Sequence, residues 1–149
     1  EFLEKPRKWD TKDLGKFMNV MGITSSITDM IAFIVFWCVF GYNSVEKQAW
    51  FQTAWFVECL ISETMIIHYV RTSKIPFIES RANKFLTIST LITILGTIIT
   101  PIILHNVSTF NFVILPVKYY LFVIVLLVIY TILVQFIKKR YIRKNGEWL

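Results

Sequence analysis

Four long apolar stretches interrupt this chain, and its basic residues are sorted by them. Counted over the five polar segments that remain, Lys plus Arg runs 5, 1, 4, 1 and 5 from first to last, which accounts for all 16. Cytoplasmic flanks of membrane spans carry an excess of Lys and Arg, so four crossings with the odd-numbered segments inside produce this alternation. An even number of crossings returns both ends to the cytoplasmic side. One pattern thus constrains both the class of fold and its orientation.

The composition agrees. Hydrophobic residues make up 55% of the 149 positions, which leaves too little polar surface to cover a water-soluble core. A net charge of +6 raises nucleic acid as a partner, but the basic residues sit at the ends of apolar runs and form no stripe, so none is expected. Cys38 and Cys59 fall inside apolar stretches and read as small buried hydrophobes with no redox or metal role. The chain opens at Glu1 with a charged segment that has no signal-peptide character, and it reads as part of something longer.

The expected fold is all-α and integral to the membrane: four transmembrane helices in an antiparallel up-down bundle, preceded by a short amphipathic helix. Residues 1–23 form a cytoplasmic loop and that interfacial helix, 24–137 the transmembrane domain, and 138–149 a basic cytoplasmic tail. After an irregular entry containing Pro6, Asp10 and Asp13 cap the short helix, whose apolar face is Leu14, Phe17, Met18 and Met21. Gly22 ends it, and Ser26 with Asp29 forms a second capping signature opening span one. The spans cover about 24–42, 49–70, 85–104 and 119–137, each long enough at 1.5 Å per residue to cross roughly 30 Å of hydrocarbon. Pro101 suggests a kink or early stop in span three, and Pro116 the first turn of span four. The apolar loop 105–118 rests at the outer interface or against the spans. Trp50, Tyr69, Tyr119, Tyr120 and Tyr141 read as interfacial anchors, and His68 and His105 as interfacial residues on opposite faces.

Three acids lie at membrane depth: Asp29, Glu58 and Glu63. A charge at the bilayer centre costs at least about 2.5–3.5 kcal/mol on insertion scales, so such residues are usually turned inward and used. At 100° per residue, Gln52, Cys59, Ser62, Glu63 and Tyr69 lie within about 140° of Glu58, and Phe56, Val57, Leu60, Ile61 and Ile67 fill the opposite arc. Glu58, Ser62 and Glu63 are candidate ion-route residues that offer hard oxygens to a small cation. Against this stand protonated or hydrogen-bonded glutamates with a purely structural role. Asp29 joins the metal candidates, although a capping role at the start of span one suits it better. No phosphate loop, Cys/His metal cluster or Ser/His/Asp constellation is present, so catalytic and cofactor-binding residues are expected elsewhere.

The stretch Asn19-Val-Met-Gly-Ile-Thr-Ser-Ser-Ile-Thr-Asp29-Met-Ile-Ala-Phe33 resembles the start of the seventh transmembrane helix of P-type cation-transport ATPases. Phe51-Gln-Thr-Ala-Trp-Phe56, Ser62-Glu-Thr64, His68 and Arg71-Thr-Ser-Lys-Ile-Pro-Phe77 resemble the next helix and its cytoplasmic loop. With Arg81-Ala82, the combination is most like the bacterial magnesium-importing branch. The resemblance implies the C-terminal membrane domain of a pump in the cell (inner) membrane. Its partners would be the lipid bilayer and the remaining transmembrane helices and cytoplasmic domains, with magnesium and ATP needed by the parent protein. In the family, ATP binding and aspartyl phosphorylation precede this region, and most ion ligands lie on the fourth to sixth helices. Calcium pumps carry a ligand Glu in the eighth helix, and Glu58 stands at a comparable distance before Pro76. The magnesium branch is expected to have Gln where this chain has Glu63. The competing readings are a self-contained four-span cation- or proton-coupled transporter working through Glu58, and a membrane scaffold without transport.

Overall fold

The computed structural model describes residues 11–146, the first four of them by backbone alone. All the regular secondary structure described is helical, and four long helices dominate it: α1 (Thr11–Ile34), α2 (Gln48–Val70), α3 (Lys84–Leu104) and α4 (Val117–Asn145). Three helical stretches, Gly15–Val39, Lys84–Leu104 and Val117–Asn145, are long and apolar enough to cross a membrane by length and composition. Helix α2 has the length but is not among these three, and its apolar run is interrupted by Gln52, Glu58, Glu63 and His68.

The entry differs from the sequence expectation. The amphipathic segment and span one are a single helix, and Gly22 lies in its interior. A glycine costs about 1 kcal/mol relative to alanine inside a helix, which the surrounding packing outweighs. Phe17 and Met21 on one side of Gly22 bury against a cluster with Tyr69, Tyr130 and Val134, and Thr24 beyond it is also buried. Ser26 and Asp29 therefore stand in mid-helix and cap nothing. Thr24 and Thr28 instead donate back to the carbonyls of Val20 and Thr24. Pro6 and Asp10 lie outside the described residues, as does the Asp13 side chain.

At its far end α1 widens into a π-turn, Val35–Val39. Gly41 then takes φ +67°, a left-handed conformation that costs glycine little, and the Tyr42 N–H reaches back to the Phe36 carbonyl at 3.0 Å. One 3-10 turn, Val45–Lys47, leads into α2. The core at this end is aromatic. Phe36 is fully buried and meets Phe40, Phe51, Trp55, Tyr119 and Phe122, mostly edge to face.

Helix α2 is the centre of the bundle. It packs against α1, α3 and α4, and α1 also packs against α4. Pro101 neither stops α3 nor opens it to solvent; the helix runs on to Leu104 with the proline buried. Pro116 is the cap residue immediately before α4. The loop 105–116 does lie against the spans: Leu115 is buried, Phe112 meets Phe56, and the Val113 N–H donates to Thr53 Oγ1 at 3.2 Å. Helix α4 continues through the basic tail to Asn145, where Gly146 at φ +88° closes it with an N–H bond to the Ile142 carbonyl.

Two cations organise the α2–α3 loop rather than merely flanking it. Arg71 donates to the carbonyls of Ser80 and Arg81 and to the Ser80 hydroxyl. Lys138 is 1% exposed, and its Nζ donates to the carbonyls of Thr72 at 2.8 Å and Lys74 at 3.4 Å. That contact ties the end of α4 to the loop after α2.

Candidate ion-route site

The physical asymmetry of a carboxylate sets up this site. Ionised, it only accepts hydrogen bonds, and the interior of an α-helix has no N–H groups to spare. A carboxylate inside a bundle must therefore find donors on neighbouring elements, take up a proton, or meet a cation. Glu58, in the middle of α2, is 1% exposed, and neither of its carboxyl oxygens has a hydrogen-bond partner among the described residues.

Its surroundings explain why. The Tyr119 hydroxyl, from α4, is fully buried and donates to the Ala54 carbonyl at 2.6 Å, one turn before Glu58. The Ser62 hydroxyl, one turn after, is also buried and donates to the Cys59 carbonyl at 3.1 Å. Both hydroxyls thus donate to backbone carbonyls of α2. Between them, Ala54, Val57 and Ile61 on α2 and Val123 and Leu126 on α4 close the apolar core.

The four candidates separate into two environments. Glu58 and Ser62 point into the bundle, Asp29 on α1 is half-buried, and Glu63 is exposed. The three acids are near enough to interact electrostatically. They do not converge: among the described residues, no group of three or more His, Cys, Asp and Glu side chains is placed to hold a metal ion. The division of α2 into a polar and an apolar arc also needs correction. Val57 and Ile61, expected opposite Glu58, are buried beside it, whereas Glu63 and Gln52, expected with it, face outward.

Several anchors turn out to be internal ties. Tyr69 and Tyr119 are buried, and Tyr69 Oη lies 2.7 Å from Thr131 Oγ1. His68 is fully buried against Phe77 with Nε2 2.7 Å from Thr90 Oγ1, while His105 is exposed and its ring donates to the Ile102 carbonyl. Both cysteines are free, and Cys38 is exposed while Cys59 is half-buried, so neither is the fully buried hydrophobe expected. Tyr119, Thr131 and Lys138 as contact-making groups escaped sequence reasoning. An aromatic, a threonine or a lysine at a span end reads equally well as an interfacial residue.

A family model described as cation transporting ATPase, C-terminus, matches residues 2–140. The chain is 43% identical over 152 aligned residues to a Salmonella typhimurium (strain LT2) protein named magnesium-transporting ATPase, P-type 1, covering 99% of this chain and 16% of that protein. An Escherichia coli (strain K12) protein of the same name is 38% identical over 146 residues, covering 98% of this chain and 16% of its own length. The chain therefore spans about one sixth of the length of the relatives it matches. Near-complete coverage at this identity joins the helical architecture to one conclusion: this chain belongs to the family of cation-transporting P-type ATPases, as a C-terminal region of that family.

Proposed function

We propose that this chain is the C-terminal membrane domain of an ATP-driven pump for a divalent cation, magnesium, and that Glu58 contributes a ligand to the ion route. Helix α2 also crosses the membrane, which makes four crossings in all, so the bundle is antiparallel with both ends in the cytoplasm of a cell whose inner membrane holds the pump. The four helices support the transport helices, and ATP binding and hydrolysis belong to the rest of the polypeptide. The relatives' names support magnesium as the cargo. The observation that carries the site is the Glu58 carboxyl, buried at 1% exposure with no hydrogen-bond partner on either oxygen among the described residues. Keeping such a group at membrane depth costs free energy and returns nothing in packing, as expected of a group kept for chemistry.

The four helices supply only part of a coordination shell. Magnesium takes six oxygens in near-octahedral geometry, commonly including water, so one carboxylate here leaves the other positions to water and to helices elsewhere in the pump. Ser62 adds an oxygen when its hydroxyl leaves the Cys59 carbonyl. Asp29 and Glu63 lie along the approach and raise the local cation concentration. The test is Glu58→Gln in the complete pump. The amide keeps the shape and removes the charge, so magnesium-stimulated ATPase activity falls or its magnesium dependence moves to higher concentration. Unchanged uptake and unchanged activation return Glu58 to a structural role.

A further inference from the structure

The far end of α1, outermost in the topology proposed above, carries a small chamber that the ion route does not use. Where the π-turn Val35–Val39 widens the helix, a cavity of about 280 Å³ opens between Trp37, Tyr42, Asn43, Ser44, Gln48 and Phe51. Turns of this kind recur at functional sites. Its aromatic walls are held in place: Trp37 stacks on Phe33 at 6.0 Å and meets Phe51 edge to face at 6.4 Å, and the buried Tyr42 leans on Trp50 at 5.9 Å. The side chains of Asn43, Ser44 and Gln48 are exposed and make no hydrogen bond among the described residues. None of the lining residues is charged. The cavity also lies where α1 ends, at the negative end of its backbone dipole. An ammonium group already answers that polarity: Lys47 Nζ donates to the Gly41 carbonyl at 3.1 Å.

We propose that this cavity binds the ethanolamine ammonium of an outer-leaflet phospholipid. Aromatic faces attract a cation through the ring quadrupole. A quaternary ammonium uses the rings alone, whereas a primary one has three N–H donors for the oxygens of Asn43, Ser44 and Gln48. A magnesium ion suits the site poorly, because it demands oxygen ligands in octahedral array and none of the lining side chains is a carboxylate. Depth favours a phospholipid over a soluble amine. The proposal rests on the topology given above, in which the span of α1 ends at this cavity and its mouth lies among the headgroups, where Trp and Tyr gather. Lys47, from the same short turn, is exposed and keeps two N–H groups for the phosphate that the headgroup carries.

The experiment places the photo-crosslinking residue p-benzoylphenylalanine at position 45, where Val45 lines the cavity and is exposed, or at position 117, where Val117 is exposed at the start of α4. The complete pump is held in nanodiscs of equimolar phosphatidylethanolamine, phosphatidylcholine and phosphatidylglycerol, distinguished by acyl mass. Adducts at position 45 are expected to favour phosphatidylethanolamine over phosphatidylglycerol by about 2–5-fold relative to those at 117, the preference that one exposed cation–π contact supplies. Trp37→Leu should bring the ratio at 45 down to that at 117. Gln48→Leu, at an exposed position whose loss leaves the packing intact, should erase the preference for phosphatidylethanolamine over phosphatidylcholine. Equal ratios at the two positions, enrichment of either other lipid at 45, or peptide adducts there overturn the proposal. So does ethanolamine bound from solution in nanodiscs of phosphatidylcholine alone and lost in Trp37→Leu, when no lipid is enriched, since the cavity then takes a soluble amine. Lipid adducts at neither position defeat the topology and the proposal together, whereas equal ratios defeat the proposal alone.

Discussion

Glu58→Met in the complete pump separates a structural glutamate from a functional one, because the two roles predict opposite signs. Methionine reproduces the reach of the glutamate side chain without branching and adapts to the irregular space between Ala54, Tyr119 and Leu126. In the wild type, the Glu58 carboxyl is buried with neither oxygen hydrogen-bonded among the described residues. An unsatisfied buried polar group costs about 1–3 kcal/mol, and the thioether removes that cost while burying apolar surface in its place. Without magnesium, Glu58→Met is therefore expected to be more stable than the wild type by about 1–3 kcal/mol. Magnesium should offset this. A ligand at 100 times its dissociation constant stabilises the state that binds it by about 2.7 kcal/mol, which the wild type gains at this site and the methionine variant does not. The measurement is denaturant unfolding of the solubilised pump, followed by the reactivity of one cysteine at buried Val123 in a background with other cysteines replaced. Transport should fall in the same variant. A methionine variant that is less stable than the wild type by 1 kcal/mol or more in magnesium-free buffer would refute the reasoning. It would mean that the carboxyl holds structural hydrogen bonds in the assembled pump.

Two further outcomes follow from the ties between helices and from the charge pattern. Thr131 donates its hydroxyl to the Leu127 carbonyl at 2.7 Å, so Tyr69 must be the donor in the bond between them. Tyr69→Phe should then cost only about 0.6–1.7 kcal/mol, the range for hydrogen bonds between membrane helices. Thr131→Val strands a buried tyrosine hydroxyl and should cost more, about 1–3 kcal/mol; the reverse order in the same unfolding assay would show that the donor assignment is wrong. For orientation, cysteines placed near Lys47 and Lys118 should react with an impermeant thiol reagent from outside, in a background lacking Cys38 and Cys59. Labelling confined to the Arg71–Lys84 loop would invert the topology.

Helices α2 and α3 were legible from their apolar runs: the expected 49–70 and 85–104 match Gln48–Val70 and Lys84–Leu104 to within a residue at each end, whereas α4 runs eight residues past the expected 137, to Asn145. The start of α1 was not legible. Gly22 has no atom within 4 Å of where a Cβ would sit, so nothing local tells of the burial of Phe17, Met21 and Thr24 that carries the helix past it. The misreading of Asp29 follows directly from that one, since a cap exists only where a helix begins. Tyr119 and Lys138 failed for a different reason. A tyrosine at a span end and a lysine just after one satisfy interfacial rules as well as internal ones, and only the path of a neighbouring chain decides which applies. For Lys138, that path is the turn at Thr72–Lys74, which brings two carbonyls to its ammonium group. Glu58 and Ser62 were legible as candidates because an acid at membrane depth is conspicuous in any arrangement. Their division from Glu63 was not, because helical angle alone gives the separation of two residues and not which neighbour covers each.

The polarity of α2 and its place in the bundle account for each other. A helix with Glu58, Ser62, His68 and Glu63 along its length is poorly suited to lipid on all sides, and this is the helix that α1, α3 and α4 surround. Burial resolves three of those four groups by different means. His68 meets Thr90 on α3, Ser62 returns its hydroxyl to its own helix, and Glu58 is enclosed without a partner. Shielding from lipid is therefore complete for Glu58, but satisfaction is not, and a bundle assembled for stability alone has no reason to leave that difference. Glu63 presents the complementary case, reached by water or protein but by no donor within these helices. Among the described residues, one acid is enclosed without a donor and the other is exposed without one, two costs that these helices do not repay from within.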